Sequence, residues 1–267
     1  LDVEVEKSLR VDYFNLLMKA SPLPVACAAA LLWAVCGIAA TTHAQDAVIT
    51  KSGLTREGKI VGVSAGNVRL QTAAGTTGLP LAEVGEIRMA APPEFDAAAA
   101  QLASGDAAGA IAALTEINET FAGLPAPWAE RASAMLGDAK LAAGDAAGAQ
   151  AAYDQFRKTY PQATALANLG TARLAVEAGR FDEAGKLLEP VLAGSDKTAF
   201  PTAAEGATLS QAHYLMGRVR EAGGDVRNAL EHYLKASVVF PFDHTATDSA
   251  RTRADQLRAE HAGLIAP

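Results

Sequence analysis

Met216-Gly-Arg-Val-Arg-Glu-Ala-Gly-Gly-Asp-Val-Arg-Asn-Ala-Leu-Glu-His-Tyr-Leu-Lys-Ala-Ser-Val-Val-Phe-Pro241 repeats the spacing of Leu136-Gly-Asp-Ala-Lys-Leu-Ala-Ala-Gly-Asp-Ala-Ala-Gly-Ala-Gln-Ala-Ala-Tyr-Asp-Gln-Phe-Arg-Lys-Thr-Tyr-Pro161. In both copies a second glycine follows the first by seven residues, an alanine by twelve, a tyrosine by sixteen and a proline by twenty-four. Each landmark has a steric reason. Gly137 and Gly217 sit on a first helix, where only a small side chain lets a second helix approach closely. Gly144 and Gly224 end that helix, because glycine accepts the left-handed C-cap conformation. Asp145 and Asp225 then cap the second helix. Ala149 and Ala229 are its small contacts, and Tyr153 and Tyr233 lie one turn further along the same face. Pro161 and Pro241 stop it.

Two weaker copies extend the series. One holds Ala172, Gly179, Ala184 and Leu188, with Pro190 placed to bend its second helix. The other holds Ala98, Gly105-Asp106, Ala110 and Leu114. The longest spacing between turn glycines, from 179 to 224, takes in a loop insertion around 193–201. A final apolar-periodic stretch at about 244–262 has no partner helix and reads as the polar-faced cap of an open array. These landmarks resemble the tetratricopeptide repeat, a helix–turn–helix unit of about 34 residues. The resemblance covers about 93–262 and implies an all-α solenoid of about four repeats that binds other proteins. The segment Ala151-Ala-Tyr-Asp-Gln-Phe-Arg-Lys-Thr-Tyr-Pro161 is also similar to repeats of bacterial envelope proteins, among them outer-membrane assembly lipoproteins and the periplasmic partner of the Tol–Pal system.

In that family, exposed positions of the first helices line a concave face. Counted from the landmarks, they include Arg131, Ala134, Asp138, Leu169, Arg173, Tyr214 and Arg218. Chaperone-binding members clamp a peptide carboxylate with lysine and asparagine. Ala134 and Asp138 stand at those places here, so the clamp is absent. Arg173 and Arg218 occupy equivalent positions in successive repeats and are expected to meet an acidic or extended peptide beside Tyr214.

Ahead of the repeats the period changes from helix to strand. Ala47–Lys51, Gly58–Val63, Val68–Thr72, Thr76–Leu79 and Val84–Met89 are β-branched runs separated by turn signals. Five short strands over about 45–90 suggest a small barrel, and their order resembles the SH3-like or Sm-like β-domains of envelope proteins. The segment lacks aromatic stacking residues and carries little net charge, so RNA is not its expected ligand.

Residues 22–40 form an uncharged apolar run preceded by Lys19 and followed by Thr42-His43-Ala44, a small-x-small cleavage pattern. Residues 18–44 therefore read as a secretory signal peptide, with a retained anchor as the alternative. Leu1–Leu17 is acidic and fits nothing in a leader. It reads as an over-extended reading frame whose start is Met18, or as a cytosolic tail on an anchor. Both cysteines, Cys27 and Cys36, fall in the run, so a chain starting at Gln45 has no thiol for disulfides or zinc. The whole chain has a formal charge of −7, and loss of the leader leaves it acidic, which argues against a nucleic-acid surface.

No Gly-x-Ser-x-Gly, His-Glu-x-x-His or Walker-type loop occurs. His244 and Asp248 share a helix face but are only two ligands, and His213 is expected to pack. The expectation is an exported scaffold or adaptor of the periplasm or extracellular envelope. It would have protein or peptide partners and no cofactor, metal, catalytic residue or nucleic acid. The alternative is a self-associating structural subunit of a surface assembly.

Overall fold

A computed structural model describes residues 45–195 and 200–262. The expected N-terminal extension and signal peptide, residues 1–44, lie outside the described residues. Six strands come first: β1 (Ala47–Thr50), β2 (Thr55–Glu57), β3 (Lys59–Ser64), β4 (Asn67–Thr72), β5 (Gly75–Pro80) and β6 (Val84–Arg88). They form two antiparallel three-stranded sheets, ordered β2-β1-β6 and β3-β4-β5. The expected barrel is therefore corrected to two sheets that do not close. A short turn at Leu81–Glu83 carries the chain from β5 to the other sheet, where β6 pairs with β1. The alternating pattern marks strands but does not say which strand each will pair with. It also hides β2, since Thr55-Arg56-Glu57 has no apolar member.

Nine helices follow among the described residues: α1 (Pro93–Ala103), α2 (Ala107–Phe121), α3 (Pro127–Ala142), α4 (Ala146–Thr159), α5 (Thr164–Glu177), α6 (Phe181–Leu192), α7 (Ala203–Ala222), α8 (Val226–Leu234) and α9 (His244–Glu260). None is long and apolar enough to cross a membrane. Pro93 opens α1 at a position where a missing N–H costs nothing. Val48, Ile60, Val68, Leu70, Leu79 and Val84 of the strands share one core with Phe95, Leu114 and Trp128 of α1–α3 and with Leu124 of the α2–α3 loop. Each such side chain contributes about 1.5–3 kcal/mol on burial. The Trp128 indole N–H donates to the Met89 carbonyl at 3.2 Å, fixing the entry into the array.

The helices alternate as first and second members of pairs. The turn glycines all take positive φ: +87° at Gly105, +81° at Gly144, +72° at Gly179 and +75° at Gly224. An L side chain there would be strained by about 1 kcal/mol or more. Asp106, Asp145 and Asp225 each cap the following helix, accepting the backbone N–H of Gly109, Gly148 and Asn228. The third turn has Arg180 at this place and no side-chain cap. Pro190 lies in the last turn of α6, which ends two residues later. After Leu234, α8 continues as a wider π-type turn over Lys235–Val239, where the Ser237 hydroxyl donates to the Tyr233 carbonyl at 2.8 Å, and Pro241 then stands outside the helix. Likewise Pro161 follows the end of α4.

Between helices, glycines take in rings. The Tyr153 ring lies where a side chain at Gly137 on α3 would have to go, and a Cβ at Gly170 on α5 would come within 2.5 Å of it. The Tyr233 ring sits in the same way on Gly217, again at 2.5 Å. Ala149, Ala184 and Ala229 are fully buried beneath these contacts, and Leu188 takes the place of the ring in the third pair. A further tyrosine, Tyr160, accepts the Gly123 N–H at 2.8 Å and ties the α2–α3 loop to the end of α4.

These phenols make an alkaline prediction. Burial raises the pKa of Tyr153, Tyr160 and Tyr233, and the carboxylates of Asp138 and Glu221 add to the rise at Tyr153 and Tyr233. The fold keeps the phenols protonated at pH values where an unfolded tyrosine, of pKa about 10, ionises. Their stabilising effect is thus complete below about pH 10 and is lost as pH rises above it. Three of the five tyrosines should ionise only together with loss of the far-ultraviolet helix signal. Smooth tyrosinate formation near pH 10 with helicity intact would contradict this packing.

Candidate partner-binding groove

The first helices α3, α5, α7 and α9 stand side by side, and one position recurs on them. Asp138, Arg173 and Arg218 each precede their turn glycine by six residues. Arg253 follows Tyr233 by twenty residues, as Arg173 follows Tyr153. Each of these arginines reaches back to a carboxylate on the preceding first helix. Arg173 bonds Asp138, Arg218 bonds Glu177 and Arg253 bonds Glu221. Glu177 and Glu221 stand about one turn beyond the recurring position, so the ladder is continuous although its acids shift.

Two joints carry the same triad. The Tyr153 hydroxyl donates to Asp138 Oδ1 at 2.6 Å, and the Tyr233 hydroxyl donates to Glu221 Oε2 at 2.7 Å. In each, a tyrosine of one pair and an arginine of the next share one carboxylate. From Arg173 the network goes on to Gln211 Oε1 at 2.9 Å. Gln211 in turn donates to Asp243 Oδ2 at 2.6 Å, and Asp243 caps α9 through the Ala246 N–H at 2.8 Å. Burial opposes the charge on Arg173, yet Asp138 and Tyr153 together outweigh it and the net shift is upward. At Glu221 burial pushes the carboxyl up, but the hydrogen bonds from Arg253 and Tyr233 hold it below the usual range.

Of the seven positions expected on the concave face, Ala134 is buried, and the other six, expected to contact a partner, are dispersed. Leu169 is only 2 % exposed and belongs to the core with Leu188 and Leu215. The side chains of Asp138 and Arg173 are 19 % and 21 % exposed and are committed to each other. The Arg131 guanidinium lies 6.0 Å from the centre of the Phe95 ring and borders a smaller groove of about 320 Å³ with Leu166, Val191 and Leu209. Tyr214 and Arg218 alone come together in a groove of about 700 Å³, larger than the one at Arg131; its other walls include Phe181, Thr252 and Arg253. The Tyr214 ring stands 6.0 Å from that of Tyr233, which braces it from behind. His213 is buried, stacked on Phe240 at 5.4 Å, with its Nδ1 3.0 Å from Nδ1 of His232. Among the described residues no group of three or more metal-ligating side chains converges.

Gln211, Glu177, Glu221 and Asp243 were not among the residues singled out from the sequence. The spacing of twenty between tyrosine and arginine is a sequence signal for the carboxylate shared at Asp138 and at Glu221, and no such spacing marks Gln211, Glu177 or Asp243. The paired helices, the glycine–tyrosine contacts and the ladder across them bring the fold to a decision. Residues 134–163 match the tetratricopeptide repeat family. The matched span begins on α3, passes through the Gly144-Asp145 turn and ends just before α5. With the helical-pair array around it, the match supports a tetratricopeptide repeat protein. No curated protein matches the chain.

Proposed function

We propose that this chain is a non-enzymatic protein-interaction scaffold, exported to the cell envelope, whose larger groove takes an extended segment of a partner. A tetratricopeptide repeat suggests protein–protein interaction as the general role. The observation that carries the finer reading is the groove at Tyr214, an open concavity lined by the half-buried rings of Tyr214 and Phe181 and by two arginines that are each paired with a glutamate. Such a site suits an apolar side chain on the ring with polar backbone at the rim. Export rests on the apolar run at 22–40 and the Thr42-His43-Ala44 pattern. N-terminal sequencing of the protein from its host should then begin at Gln45.

The ladder changes what each substitution should do. A desolvated tyrosine anchor contributes about 2 kcal/mol or more to binding, whereas an exposed charge contributes about 0–1 kcal/mol. With a partner isolated by crosslinking from envelope fractions, Tyr214→Ala should weaken binding about thirtyfold and Arg218→Ala fivefold or less. Arg173→Ala should act through stability instead. Unchanged affinity in a normally folded Tyr214→Ala variant would remove the groove from the binding site. Light scattering on residues 45–267 separates the two readings of the array. A monomer fits the scaffold, and a discrete or filamentous oligomer would favour the structural subunit.

A further inference from the structure

The strand unit has a second surface, independent of the groove. β5 pairs with β4 along its whole length, from Thr72↔Gly75 to Asn67↔Pro80. Beyond β5, the Leu81 N–H donates to the Gly66 carbonyl at 2.9 Å. Backbone groups of an antiparallel strand alternate in direction, so this bond sets the phase. The amides of Leu79, Thr77 and Gly75 face β4, whereas the N–H and C=O groups of Thr76 and Gly78 face away from the sheet. Residues 75–78 are all exposed. The opposite edge of this sheet lies against α2, where a Cβ on Gly62 would come within 2.6 Å of the Thr120 carbonyl. β5 is thus the open edge, and from Gly75 to Leu79 it carries none of the charges or prolines that usually blunt one.

The side chains around this edge define what would pair with it. Val68, Leu70 and Leu79 are buried, so Arg69 and Gln71, with Thr76 and Gly78 beside them, face solvent on the other side. From Lys59 to Pro80 the chain has two basic residues, Lys59 and Arg69, and no acidic one. Both are exposed and neither has an ion pair among the described residues. Gly78, opposite Arg69 in the register, has no side chain to screen the guanidinium from a strand added beyond it.

We propose that β5 is a docking edge for an extended acidic segment of a partner protein, which adds as a fourth strand. Its backbone bonds Thr76 and Gly78, and a glutamate opposite Gly78 reaches Arg69. Backbone pairing supplies the affinity and the alternate side chains supply the selectivity.

Hydrogen exchange on residues 45–267 tests this with a capped peptide of sequence Thr-Glu-Val-Glu-Val-Glu and its counterpart with lysine for glutamate. In the free protein the Thr76 and Gly78 amides should exchange rapidly. The acidic peptide should slow both about tenfold or more, and the lysine peptide should have several-fold less effect. Gly78→Pro removes the outward N–H at a position where an edge strand tolerates proline, and should abolish protection. Arg69→Glu, a surface change that leaves the core untouched, should reverse the preference between the two peptides. Protection that ignores peptide charge, or no protection at saturating peptide, overturns the proposal. So does protection that rises with protein concentration alone, because the edge would then pair with a second copy.

Discussion

Tyr153→Ala is expected to lower stability by about 3–5 kcal/mol, the range for removing a large buried aromatic. The ring is 1 % exposed and is enclosed by two glycines, Gly137 and Gly170, on different first helices. Neither glycine has a side chain that could move into the space, so the cavity would stay open. The hydroxyl is lost as well, which takes one donor from Asp138. Tyr153→Phe keeps the ring and removes only that hydrogen bond, so it should cost about 1 kcal/mol. Urea unfolding followed by circular dichroism measures both. A Tyr153→Ala variant within about 1 kcal/mol of the parent would show that the ring does not hold the two pairs together.

Arg173→Met should cost about 2–4 kcal/mol. It leaves Asp138 largely buried beside an apolar side chain, and breaking such a pair from one side is more damaging than removing both partners. The residual exposure of the pair keeps the figure below that of a fully buried one. The double variant Asp138→Asn with Arg173→Met should therefore be more stable than Arg173→Met alone. The exposed Arg180–Glu183 pair provides the comparison, since breaking it should cost no more than about 1 kcal/mol. Equal losses at the two sites in urea unfolding would mean that the ladder is only a surface feature.

How much could be read from the sequence differs along the chain, for physical reasons. Turn glycines, aspartate caps and the ring-on-glycine contacts are local or of fixed spacing, so Gly144, Asp145, Tyr153 and Gly137 announce their roles directly. The ladder is not local. Arg173 and Arg218 occupy the same phase of the repeat, but a shared phase does not say whether an arginine faces a partner or a neighbouring carboxylate. Asp138 answered that for Arg173, and Glu177 answered it for Arg218 from one turn away. Leu169 shows the same limit: counting from the landmarks puts it on the concave face, while packing with Leu188 and Leu215 buries it. In the strand unit, alternation marked five strands correctly in place, yet pairing depends on the Leu81–Glu83 turn, whose sequence has no distinctive residue.

The groove is tested most directly by a photo-crosslinking amino acid placed at Tyr214 in the native host, with the same residue at Gln155, exposed on the second helix α4, as the comparison. The expected result is a defined adduct with one partner protein from position 214 and none from position 155. An adduct from position 155 with none from position 214 would contradict recognition through the concave face.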